Sequence, residues 1–382
     1  MTALLRQLSA AIAEDGPISV ARYMALALGH PAHGYYMTRD PLGRAGDFTT
    51  APEISQMFGE LIGLWCCDVW DRMGRPAPFV LAEQGPGRGT LMSDALRAAR
   101  LVPDFLRAAS VHLVETSPVL RQRQQSRLEG AGAPIRWHEE LDGIPEGPAI
   151  ILGNEFLDAL PIRQFVRTET GWHERMVGLG PDGALAFGMA PDPEPRLAEL
   201  PGRPGDLREF GAAATLVVRT VSERLVRCGG AALFVDYGTS EPRPGSTFQA
   251  VRGHRRADPL EAPGEVDLTA HVDLGAVSRQ AVAAGASVHG PVPQGEFLGA
   301  LGIRERASRL SKAAGGAEVA AALSRLTGQG EGEMGQLFQA IAISDPRITF
   351  LPGFPDSGKP VTRAAGPGDA DLDPAREARA AC

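Results

Sequence analysis

Three glycines at alternate positions, Gly85, Gly87 and Gly89, with Glu83 two residues ahead of them, form the clearest chemical motif of this chain (FVLAEQGPGRGTL, 79–91). Gly85 lets the backbone turn, Gly87 removes a side chain where a ligand would meet the main chain, and Gly89 lets the following helix pack close. A helix starting there offers free N–H groups and a positive dipole end to an anionic group. Glu115, 26 residues beyond Gly89, ends the apolar run VHLV. A carboxylate at that point can accept both hydroxyls of a ribose. The chemistry implied is the holding of a nucleoside-bearing cofactor, with Glu83 free to serve its other polar end. A second acidic pair, Glu155 and Asp158, follows the run AIIL and is spaced three apart. In a helical turn the two share a face and can grip a cation through charge-assisted hydrogen bonds.

Strands must carry these residues to one edge. Short apolar runs at Phe79–Ala82, Val111–Val114, Ile135–Trp137, Ala149–Leu152 and Ala231–Val235 alternate with helical stretches of ten to fifteen residues. That alternation predicts βαβ crossovers and a mostly parallel α/β sheet. The motifs all fall at the carboxyl ends of strands, where open α/β sheets bind ligands. Residues 1–75 read as a helical segment, with Ser19 capping a second helix and a third over about 55–70. Thr50 to Glu53 reads as a helix start, with Thr50 as cap, Pro52 in the first turn and Glu53 at the capping-box position. The main domain is expected over 76–350. Hairpins inserted in its sheet fall within an insertion at about 162–210, and a helical insertion at about 290–335. A long loop runs to about 268, a strand is expected over Phe338–Ile343, and a disordered tail over 363–382.

Charge and composition narrow the class. The 382 residues carry 38 basic and 46 acidic side chains, a net charge of −8. This disfavours a general nucleic-acid or anionic-membrane binder. No window holds the roughly 18 uninterrupted apolar residues of a membrane span. Four cysteines in such a chain are too few for a disulfide framework, and Cys66-Cys67, Cys228 and Cys382 lack metal-ligand spacing, so no metal is expected. The N-terminus lacks the apolar core of a secretory signal, and Glu14 and Asp15 suit a mitochondrial presequence poorly. The expected location is the cytoplasm of a bacterium.

The spacing G-x-G-x-G departs from the dinucleotide fingerprint G-x-G-x-x-G, leaving NAD as the second choice. With Glu83 in place it resembles motif I of the class I S-adenosylmethionine-dependent methyltransferases, in which the acidic residue serves the amino-acid end of the cofactor. Further blocks extend the likeness: GDFTTAPEISQMFGELIGLW (46–65), VETSPVLRQRQ (114–124), GNEFLDALPIRQF (153–165), FVDYG (234–238) and APGEVDLTAHVD (262–273). Together they are similar to the MidA-like family of protein arginine methyltransferases that assist respiratory complex I assembly, and its bacterial relatives. The resemblance implies a class I, Rossmann-like methyltransferase fold with extra helical segments and S-adenosylmethionine as donor. It also implies a protein arginine as acceptor, carried by a complex I subunit, and a 46–53 loop, with Thr50 and Pro52, folding over the cofactor. Glu155 is then expected to contact the acceptor guanidinium, with Asp158 helping or orienting it. Tyr35 and Tyr36 are candidates to wall the acceptor channel, and the basic stretch 252–259 to contact the acceptor protein. A non-arginine acceptor, and an assembly chaperone keeping the pocket as a relic, stay open beside this reading. The oligomeric state is not legible.

Overall fold

The computed structural model describes residues 2–43, 46–241, 244–312 and 315–355. Seven strands, numbered in chain order, form the central sheet: β1 Phe79–Gln84, β2 Ala109–Val114, β3 Ile135–His138, β4 Ala149–Asn154, β5 Gly230–Thr239, β6 Ser287–Pro293 and β7 Phe338–Ser344. Their spatial order is β3-β2-β1-β4-β5-β7-β6, and Val272–Asp273 adds a short parallel pairing at the end of β5. The first five strands run parallel, while β7 lies antiparallel between β5 and β6. The order reverses between β1 and β4, and that switch point opens a crevice at the carboxyl edge.

Alternation within the strands feeds two cores. Phe79, Leu81, Leu233 and Val235 face one side with the helix α1 Gln56–Arg72. Val80, Ala82, Ala232 and Phe234 face the other, against α4 Ala212–Cys228 and α5 Leu274–Ala283. All six residues of β1 are buried, as a parallel strand covered on both faces requires. The helices α2 Thr90–Ala99 and α3 Pro118–Arg127 follow β1 and β2.

The N-terminal helices Ala3–Asp15 and Val20–Gly29 do not join these layers. Leu4, Leu8, Ile12, Tyr23 and Met24 pack instead with Ile162, Val177 and Leu185 and with Phe248–Ala270, in a separate core over the crevice. As expected, Ser19 caps the second helix by accepting from the Arg22 N–H. Two expectations change. The hairpins after residue 162 lie in a sheet of their own, ordered Ile18–Ser19, Trp172–Leu179, Arg163–Arg167, Leu207–Phe210, with Leu185–Pro193 paired to Trp172–Leu179. They have no place in the main sheet because β4 and β5 bond edge to edge. The region read as a long loop to 268 contains a three-stranded sheet, Arg255–Ala257, Gln249–Arg252, Asp267–Thr269. Among the described residues no helix is long and apolar enough to cross a membrane. The expected disordered tail, 363–382, lies outside the described residues.

Candidate active site

The glycine loop leaves β1 with Gly85, Gly87 and Gly89 all in the left-handed region, at φ 63°, 53° and 76°. Side chains rarely adopt that backbone. A Cβ at Gly85 would meet the Phe156 ring at 2.9 Å, and one at Gly87 would meet Leu42 at 2.7 Å. Gly89 is the N-cap of α2. The loop floors a cavity of about 590 Å³, within the range of cofactor pockets. Seven of the expected site residues line it: Glu83, Gly85, Gly87, Glu115, Thr50, Pro52 and Glu155. Gly89 sits behind it as the cap, and Asp158 is not on its wall.

Glu83 is 2% exposed, and its Oε2 has no hydrogen-bond partner among the described residues. Burial pushes its carboxyl up to about 8, helped by the neighbouring charge of Glu115 and opposed by the Met92 backbone N–H. An orphaned buried carboxylate oxygen facing a cavity is the signature of an absent donor. Glu115 is also buried, and burial raises its carboxyl despite the Ser117 N–H, 2.8 Å from Oε1, and the Gln124 amide, 3.1 Å from Oε2. Glu139, Glu140 and Asp142, just beyond β3, line the same cavity and were not singled out in the sequence.

The stretch 46–53 closes over the loop. Thr50 precedes a four-residue turn, Ala51–Ile54, but makes no side-chain cap bond. Glu53 does not complete a capping box either. Its carboxylate takes the Thr90 hydroxyl and lies 3.4 Å from Arg88, whose Nε donates to Asp40 at 2.8 Å. Two carboxylates, Glu53 of that stretch and Asp40 ahead of it, thus meet one guanidinium of the glycine loop. The local spacing was legible, but the stronger charged partner across the pocket was not.

Beyond β4 the chain turns without forming a helix, so Glu155 and Asp158 do not share a helical face. Glu155 holds φ +51°. The Asp236 carboxylate accepts the N–H groups of Phe156, Leu157 and Asp158 through one oxygen, at 3.1, 2.8 and 3.3 Å. The first turn of a helix would also leave those N–H groups without a partner; it is the left-handed Glu155 that keeps the chain out of a helix here. Glu155 Oε1 accepts from the Ala51 N–H at 2.9 Å and from Asn154 at 3.1 Å. Asp158 points into the protein toward Asp236 and Tyr237. Tyr36 lines the cavity and donates its hydroxyl to Asp267 at 2.7 Å. Tyr35 is turned away, donating to Asp47 at 2.8 Å.

The half-buried Glu155 and the buried Asp158, Asp236 and Asp267 form an acidic cluster. Burial pushes Glu155 up to about 8 and Asp236 and Asp267 up to about 7, and it raises Asp158 as well. The charge of Asp236 raises Glu155 and Asp158 further, and that of Asp267 does the same. Among the described residues none of the four takes part in a salt bridge. Such a cluster lowers its free energy by admitting a cation. In the sequence Asp236 and Asp267 stand in two separate blocks, FVDYG and APGEVDLTAHVD; the fold brings them together. The basic stretch 252–259 lies outside the cavity wall, as an exposed hairpin whose tip is held by Asp47 through the Gly253 and His254 N–H groups.

Residues 61–292 match a family model described as "Putative S-adenosyl-L-methionine-dependent methyltransferase". A curated zebrafish (Danio rerio) protein, "Protein arginine methyltransferase NDUFAF7, mitochondrial", is 41% identical over 330 residues, covering 79% of this chain and 77% of that protein. The human protein of the same name is 39% identical over 331 residues, covering 80% and 75%. A crystal structure from Burkholderia thailandensis, bound to S-adenosyl-homocysteine, superposes with a TM-score of 0.81 at 33% identity, covering 92% of this chain and 94% of that one. The curated relatives are mitochondrial proteins, and this overturns the expectation of a bacterial cytoplasmic location.

Proposed function

The chain belongs to the family of S-adenosyl-L-methionine-dependent methyltransferases, and on that premise we propose that it methylates an arginine of a respiratory complex I subunit during assembly. The observation that carries the acceptor is the four-carboxylate cluster beside the cofactor cavity, without a paired cation among the described residues. A guanidinium is protonated at neutral pH and suits such a cluster; a neutral nucleophile does not.

The donor, when bound, supplies an electrophilic methyl group on a sulfonium sulfur. Glu83 holds its ammonium end and satisfies the orphaned oxygen. Glu115 takes the ribose hydroxyls, and the bare backbone at Gly85 and Gly87 lets the ligand lie against the main chain. Thr50 and Pro52 cover it. Glu155 holds the acceptor guanidinium in line and biases electron density toward the attacking nitrogen. Asp158 supports Glu155 from behind, through the shared field of the cluster.

Two expected results follow from these assignments. Purified protein and isotopically labelled donor, added to an extract from cells lacking the protein, should label a complex I subunit, with methylarginine found by mass spectrometry. Label on another residue type or on a small molecule would refute the arginine acceptor, and a client bound without any label would favour the chaperone. Donor binding should also release a proton near pH 7. Glu83, held up at about 8, is largely protonated in the empty pocket and must ionise to grip an ammonium. Affinity should therefore rise by up to about tenfold per pH unit as pH increases toward 8, then level off. Calorimetry in buffers of different ionisation heat measures the release, and Glu83→Gln should abolish it. A pH-independent affinity would rule out this role for Glu83.

A further inference from the structure

We infer that Gln124 is a positioning residue for the cofactor, fixing the carboxylate of Glu115 and the backbone of the glycine loop with one buried amide. Gln124 lies on α3 and is fully buried. Its Nε2 donates to the Gly87 carbonyl at 2.7 Å and to Glu115 Oε2 at 3.1 Å. Its Oε1 accepts from the Trp137 indole on β3 at 2.9 Å. Both amide protons are thus committed, one to each half of the cofactor cradle, and these two acceptors fix which way round the amide sits.

The consequence is specific to the ribose. Glu115 holds one oxygen toward the Ser117 N–H and the other toward Gln124. With both oxygens tethered, the carboxylate cannot swing about its terminal bond, and its remaining lone pairs stay aimed into the cavity. A carboxylate held in place before the ligand arrives loses less freedom on binding. The tie to the Gly87 carbonyl keeps the loop at a fixed distance from the same carboxylate. Gln124 touches no ligand; it acts through Glu115 and Gly87. Nothing local in the sequence announces this, since Gln124 is 37 residues from Gly87 and its partners come from three elements.

The inference rests on the reading that Glu115 binds the ribose, and one experiment separates the two. Calorimetry is run with S-adenosylhomocysteine and with its 2′-deoxy and 3′-deoxy analogues, on the full chain and on Gln124→Met. The full chain is expected to prefer the parent compound by about tenfold or more, the value of a hydrogen bond to a charged group. In Gln124→Met the parent should bind about tenfold more weakly, while the deoxy analogues lose much less, bringing the preference to within about threefold. Trp137→Phe is the control, because it removes the third partner of Gln124 but leaves both donations intact, and the preference should survive. If Gln124→Met does not fold, Gln124→Ala also removes both donations without adding a charge, and its preference is read in the same way. A variant that weakens all three ligands equally would make Gln124 merely structural and overturn the inference. A full chain that never distinguishes the deoxy analogues would instead overturn the Glu115 reading, and the inference with it.

Discussion

Glu155→Gln is expected to lower kcat/KM for the protein acceptor by about 100- to 1000-fold, with S-adenosylhomocysteine affinity changed by less than about threefold. The substitution is close to isosteric, and the amide oxygen can still accept the Ala51 N–H that ties the covering segment to the site. What disappears is the negative charge. In the empty protein that charge is suppressed, since burial and the neighbouring aspartates hold the carboxyl up at about 8. An arriving guanidinium stabilises the ionised form, so the full interaction develops only with the acceptor in place. A loss of two to three decades corresponds to about 3–4 kcal/mol, reasonable for a desolvated ion pair that also orients the nucleophile. Radiolabel transfer at varied acceptor concentration, paired with calorimetry on the product cofactor, checks both halves. Full activity with unaltered acceptor affinity would remove Glu155 from the mechanism.

The second large effect concerns stability. Asp236→Ala should destabilise the protein by about 3 kcal/mol or more in denaturant unfolding. Its carboxylate accepts four backbone N–H groups, those of Phe156, Leu157, Asp158 and Tyr237. Each buried N–H left without a partner costs about 1–3 kcal/mol. Relief of repulsion against Asp158 and Glu155 offsets part of that sum, which keeps the figure near the lower end. Asp236→Asn retains an acceptor oxygen and should lose less. If the alanine variant unfolds at the wild-type midpoint, the carboxylate does not organise this turn. The same substitution should depress methyl transfer, because the left-handed Glu155 is held in place by the turn that Asp236 anchors.

The parts of this molecule legible in the sequence are those written in local patterns. The strands β1, β4 and β5 each contain an unbroken apolar run and β2 one interrupted by His112, and the glycine loop stands where a strand gives way to a helix. Both signals survive folding because they concern neighbours in the chain. Local signals misled where a distant partner was stronger. Glu53 has the spacing of a capping box, yet it serves Arg88 and Thr90. Glu155 and Asp158 have helical spacing, yet Glu155 stands in the left-handed region and the turn after it is anchored on Asp236, some 80 residues away. The pairing of Tyr36 with Asp267 spans 231 residues, and no periodicity reports it. The small sheet at 249–269 escaped notice because its strands are only three or four residues long and rich in arginine and turn residues.

The core above the crevice has a consequence for how the protein comes into being. It joins the first helices to residues around 162–185 and 248–270, and Tyr36 and Phe48 rest against it where they face the cavity. Contacts so distant along the chain are the slowest to form. The floor of the pocket is drawn from β1, β2 and β4, all within residues 79–154. Its ceiling has nothing to lean on until roughly residue 270 has left the ribosome. The pocket can therefore shut a donor away from water only after that segment has been made.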